Sequence, residues 1–167
     1  NSFSPPVSWL GLDSTHYHSN FKLSYAENLI ISDTIGNIID SKIVSTDRSR
    51  ISEGRAYDGS IDWGYFSNPT PGLTNDSSQY YEGILASPDI SLASGWYDDQ
   101  QIVTLHSDTL SQIYYTINGD VPDTSDYLYC DTLFIDSTIV LSARSFRNDA
   151  DLPSQVIDRI FIFNEGN

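Results

Sequence analysis

The sequence predicts an all-β protein of two small β-sandwich modules, and three observations carry that prediction. Apolar residues recur at spacing two through much of the 167-residue chain, turn-forming residues break those runs at short intervals, and no window of comparable length shows helical periodicity. The charge is also unevenly divided: residues 1–75 hold 8 acidic and 5 basic side chains, residues 76–167 hold 15 and 3. The change falls in the polar run Asn75-Asp76-Ser77-Ser78-Gln79, just after Asn68-Pro69-Thr70-Pro71-Gly72, whose prolines and glycine close a domain rather than continue a strand. The expected organisation is a first module over 1–75, a linker over 76–87, a second module over 88–163 and a tail over 164–167.

The first module offers candidate strands at 7–12, 21–23, 29–31, 38–44 and 61–66, with turns at Asp33-Thr34-Ile35-Gly36 and Asp58-Gly59. The second offers seven, at 90–92, 103–105, 113–117, 127–129, 133–135, 139–143 and 156–163. Ile113, Tyr115 and Ile117 share one face and end at Asn118-Gly119, the dipeptide that best tolerates the positive φ angles of a tight turn. Ile139, Leu141 and Ala143 repeat the alternation. The run 156–163 is apolar in both phases, which suits a final strand with one face on the core and the other partly covered.

Composition bounds the function. Hydrophobic residues make up 39% and aromatic residues 13%, led by 11 Tyr, which argues against a disordered chain. A net charge of −15 repels phosphate backbones and anionic lipid, so nucleic acid and membrane surfaces are not expected as partners. No apolar run approaches the roughly 18 residues of a spanning helix, and membrane insertion is not expected. The chain opens at Asn1, lacks Met and carries no basic-then-apolar leader, so it reads as a mature product or an excised fragment. Cys130 stands alone and forms no internal disulfide, which leaves secretion open.

Two stretches resemble known families. His18-Ser19-Asn20-Phe21-Lys22-Leu23-Ser24, then Asp33 to Gly36, Gly54-Arg55 with Asp58-Gly59, Trp63-Gly64-Tyr65-Phe66, and Pro69-Thr70-Pro71-Gly72 with Asn75 follow the order of the bacterial lamin-tail domain. That resemblance implies an immunoglobulin-like sandwich without catalytic residues, serving as an accessory module of secreted or surface proteins. The family's opening strands have no counterpart before Phe3, so the first module is expected to be truncated at its N-terminus.

The second module resembles the chitobiase/β-hexosaminidase C-terminal type of sandwich. Tyr97, the core Tyr115-Thr116-Ile117-Asn118-Gly119 closing at Pro122, Ser125 with Tyr127, and Pro153-Ser154 carry it, with Asn118 where the family usually has Asp. The resemblance implies a second immunoglobulin-like, non-catalytic module. In bacterial surface proteins this pair of modules often precedes a domain resembling the spore-coat H kinase-like family, which the tail 164–167 would approach.

Other constellations have bland alternatives. His16 and His18 share a face if extended, but a zinc site needs more ligands than these two. Asp120, Asp123 and Asp126 could offer oxygens to calcium, yet their spacing fits neither an EF-hand nor a nonapeptide repeat, and a solvated acidic loop is the simpler meaning. No nucleophile elbow, phosphate loop, Cys-x-x-Cys or His-Glu-x-x-His occurs, so no catalytic, metal or cofactor residue is assigned. Cys130 reads as a small packed hydrophobe. Trp96 is the candidate carbohydrate contact, Tyr80-Tyr81 would pin the modules together, and Asn75-Asp76-Ser77 is a formal glycosylation sequon.

The expectation is a non-catalytic, extracellular or cell-surface accessory segment that spaces, orients or attaches a larger protein. Its partners would be flanking domains, a protein or carbohydrate ligand, or a second copy joined along an exposed sheet edge. A carbohydrate-binding module is the alternative, and an enzyme with an unrecognised carboxylate site the third.

Overall fold

The computed structural model describes residues 22–45, 51–71, 73–147 and 151–164, and they are all-β, with no α-helix among them. The expected strand at 7–12 and the residues His16, His18, Asn20, Phe21 and Gly72 lie outside the described residues. The chain divides into two compact units, 1–49 and 50–167.

In the first unit, β1 (Asn28–Ser32) pairs antiparallel with β2 (Ile38–Ile43). The connecting turn is tied by Asp33, whose Oδ1 accepts the N–H groups of Ile35 at 3.0 Å and Asn37 at 2.8 Å, while Oδ2 accepts from Asn37 Nδ2 at 2.8 Å. These hydrogen bonds hold the Asp33 carboxyl below its usual range, Asn37 contributing most. Gly36 takes the positive φ of 94° that the turn requires.

The second unit opens with a three-stranded antiparallel sheet, β3 (Ser52–Arg55), β4 (Trp63–Phe66) and β5 (Tyr80–Tyr81), in that order. Phe66 is buried and meets the Tyr80 ring edge-on at 5.9 Å, and the Tyr80 hydroxyl donates to the Trp63 carbonyl at 3.1 Å. Next, β6 (Gly83–Ile84) pairs in parallel with β15 (Asp151–Leu152), and the Leu85 N–H reaches the Leu152 carbonyl at 2.9 Å. Within the stretch 76–87, expected as a linker, Tyr80 and Tyr81 pair along β4 and Gly83-Ile84 pairs with β15, all inside the compact unit 50–167. A polar, charged composition marked surface there, and strand pairing uses backbone groups whatever the side chains are.

The remaining strands are β7 (Asp89–Ile90), β8 (Gly95–Tyr97), β9 (Gln101–Val103), β10 (Leu105–His106), β11 (Gln112–Thr116), β12 (Tyr127–Leu128), β13 (Leu133–Ile135), β14 (Ile139–Phe146) and β16 (Ile157–Phe163). They form a sandwich. A five-stranded sheet ordered β12-β11-β14-β16-β8 faces the short ladders β7–β10 and β9–β13. Its core draws Ile90, Val103, Leu105 and Ile135 from the ladders and Ile113, Leu141, Ala143 and Phe161 from the large sheet. The cross-strand partners Ile113↔Ser145, Tyr115↔Ala143 and Ile139↔Phe161 bring one phase of each strand onto the same face, which is why the alternation is visible in the sequence.

Candidate functional site

The tip of the β11–β12 hairpin is built almost wholly by side chains that bind their own loop. The Thr116 hydroxyl donates to the Asp120 carbonyl at 2.6 Å. Asn118 binds Asp120 twice, its Nδ2 donating to Oδ2 at 2.7 Å and its Oδ1 accepting the Asp120 N–H at 3.1 Å. Gly119 has φ of 84° and donates its N–H to the Val140 carbonyl at 3.1 Å, so the turn is anchored on β14. Pro122 is fully buried beneath this loop region. The Ser125 hydroxyl donates to Asp123 Oδ1 at 2.6 Å and holds that carboxyl below its ordinary range, while Asp126 Oδ2 accepts the Asp123 N–H at 2.8 Å.

These residues enclose an open cleft of about 450 Å³ lined by Thr116, Ile117, Asn118, Ser125, Asp126 and Tyr127. Tyr127 is 61% exposed and its ring lies 5.5 Å from that of Tyr115, tilted by 31°. Tyr115 continues inward against the core, and burial raises its phenol above the usual value. The cleft thus joins an aromatic ring to a rim of amide, hydroxyl and carboxylate groups. A smaller cleft of about 160 Å³ lies beside it, between Ile117, Phe134 and Ile139.

Asp120, Asp123 and Asp126 lie in one loop, each accepting hydrogen bonds within it. Among the described residues no group of three or more His, Cys, Asp or Glu could hold a metal ion.

Trp96 stands on β8, an edge of the large sheet, opposite Ile162, and is 71% exposed. Its neighbour Tyr97 turns the other way, packing 6.0 Å from Phe161 and 6.1 Å from Phe163 and donating its hydroxyl to the Ala93 carbonyl at 2.7 Å. Cys130 is exposed, which corrects its expected burial. Tyr129, bound through its N–H to the Ile113 carbonyl at 2.8 Å, packs against the core, and alternation turns the next residue outward.

A third cluster gathers residues that the sequence placed in one motif. Asn75 Nδ2 donates to the Arg55 carbonyl at 2.9 Å, and its Oδ1 accepts from the Thr70 hydroxyl at 3.0 Å. The Asn75 N–H reaches Asp58 Oδ1 at 3.5 Å. The Arg55 guanidinium binds the Ser60 carbonyl and lies 4.9 Å from the centre of the Trp63 ring. Gly54 packs tightly here, since a Cβ on it would stand 3.0 Å from Asn75 Nδ2. Gly59 turns the loop with φ of 82°, and Pro71 is exposed. The amide of the sequon is therefore engaged within the fold: the nitrogen that a glycan would modify is a donor inside this cluster.

Sequence reasoning did not identify the hairpin-tip cleft. Its one advance signal was the Asn-Gly turn followed within ten positions by Ser125, Asp126 and Tyr127, and nothing in that spacing shows that the two ends of the loop face each other.

Comparison with curated proteins and with solved structures gives no match. Residues 92–157, which span the sandwich from before β8 to the start of β16, match the family described as chitobiase/beta-hexosaminidase C-terminal domain, a non-catalytic accessory domain.

Proposed function

We propose that this chain is a non-catalytic accessory segment of a larger multidomain protein, acting to space, orient or attach the domains beside it. The match of residues 92–157 to an accessory family is the observation that supports this.

The finer parts of the proposal rest on the sequence. The lamin-tail-like order from His18 to Asn75 supports an accessory role for that stretch too, an extracellular or cell-surface location, and a companion domain of the spore-coat H kinase-like kind. The charge of −15 favours protein or neutral ligands over nucleic acid. Deleting the whole second unit, residues 50–167, from the parent protein is expected to leave its turnover per molecule intact while reducing its retention at the cell surface. Loss of turnover with retention unchanged would overturn the proposal.

A carbohydrate-binding role is the second reading, favoured by the exposure of Trp96 on an edge strand. Binding on a glycan array that disappears in Trp96→Ala is the result it requires.

A further inference from the structure

We infer that the cleft at the tip of the β11–β12 hairpin binds a neutral saccharide, with Tyr127 as the ring on which a pyranose rests. A pyranose presents a face of C–H bonds and a rim of hydroxyls, so it needs an aromatic surface beside groups that donate and accept hydrogen bonds. The cleft supplies both, Tyr127 for the face and Asn118, Ser125 and Asp126 for the rim. Its volume of about 450 Å³ admits one or two sugar rings, within the range of small-molecule sites.

The walls are already in place before any ligand arrives. Tyr115 backs Tyr127 at 5.5 Å, Asp120 holds the Asn118 side chain, and the Asp123 N–H holds Asp126. Binding then orders few side chains, which lowers its entropic cost. The charge sets the ligand class. Asp126 lines the cleft, with Asp120 and Asp123 in the same loop, and no Lys or Arg lines it, so sulfated, phosphorylated or uronic sugars are repelled.

This site is separate from Trp96. β12 and β8 form opposite edges of the large sheet, with three strands between them. The inference goes beyond the accessory reading, which does not require a ligand in this cleft.

The test is amide chemical-shift mapping on the full chain titrated with cellotriose, maltotriose and the N-acetylglucosamine trimer. At least one is expected to move the amides of Thr116 to Tyr127, with a Kd on the order of 1 mM or tighter. Tyr127→Ala is expected to weaken that binding about tenfold, the equivalent of about 1.4 kcal/mol, and Trp96→Ala to leave it unchanged. No shift with any of the three sugars, or shifts centred on Trp96, overturns the inference. The wild-type map decides this whether or not the Tyr127 variant folds.

Discussion

The side-chain amide of Asn75 donates to the main-chain carbonyl of Arg55, twenty positions earlier, at 2.9 Å. One side chain thereby ties the segment after the prolines to the end of β3, and Thr70 and Asp58 add hydrogen bonds to the same residue.

Asn75→Ala is expected to destabilise the chain by about 1–3 kcal/mol, because it removes a donor and leaves the half-buried Arg55 carbonyl without that bond. Denaturant unfolding would show a lower midpoint at unchanged slope. For the same reason Asn75 is expected to stay unmodified when the folded chain meets a glycosylating host, which intact mass measurement would read.

Gly64→Ala should cost more than its small size suggests. A Cβ there would collide with the Tyr81 carbonyl and the Tyr80 ring, so β4 and β5 would have to separate. Overpacking of this kind costs about 1–3 kcal/mol. Thermal melting together with loss of amide protection at Tyr80 and Tyr81 checks it.

The sandwich core and its rim should respond oppositely to truncation. Leu141 is fully buried between the sheets, and Leu141→Ala is expected to cost about 2–5 kcal/mol. Ile102 lies on β9 but faces solvent, and Ile102→Ala is expected to change stability by no more than about 0.5 kcal/mol. Parallel unfolding curves of the two variants give the comparison.

Stability should fall at both ends of the pH scale, for opposite reasons. The Asp33, Asp108 and Asp123 carboxyls lie below their ordinary 3.8 in the folded chain, so the unfolded chain takes up protons first. Their stabilising effect is present above pH 3.8 and is lost as pH falls through the lower folded values. The double variant Asp108→Asn, Asp123→Asn is expected to show a shallower acid limb. Tyr80 and Tyr115 are shifted the other way, above 10.0, chiefly by burial, so their neutral forms favour the fold below pH 10.0 and that effect disappears as pH rises through the folded values. Tyr115→Phe should flatten the alkaline limb.

Amide exchange should separate the two units. The β1–β2 ladder of the first has two strands with Ile31, Ile38, Ile39 and Ile43 exposed, whereas β14 in the second is hydrogen-bonded to a strand on each side. Exchange at Asn28–Ile43 is expected to be faster than at β14. Exchange there as slow as at β14 would overturn this.

The sequence by itself determined the all-β class, the strands with a strong apolar phase and the turns. β2, β11, β13, β14 and β16 were legible because each buries or offers one phase of its side chains, and the Asn118-Gly119 turn because its backbone demands it. Tertiary structure alone decided the rest. β3 (Ser52-Glu53-Gly54-Arg55) has no apolar residue, and β5 and β6 lie in a polar stretch; they are strands because β4 and β15 offer them backbone groups. The exposure of Cys130, the occupation of the Asn75 amide and the cleft beside Tyr127 likewise depend on residues distant in sequence meeting across ladders. Local periodicity records which side of a strand faces a core, whereas a site is made by which strands the chain brings side by side.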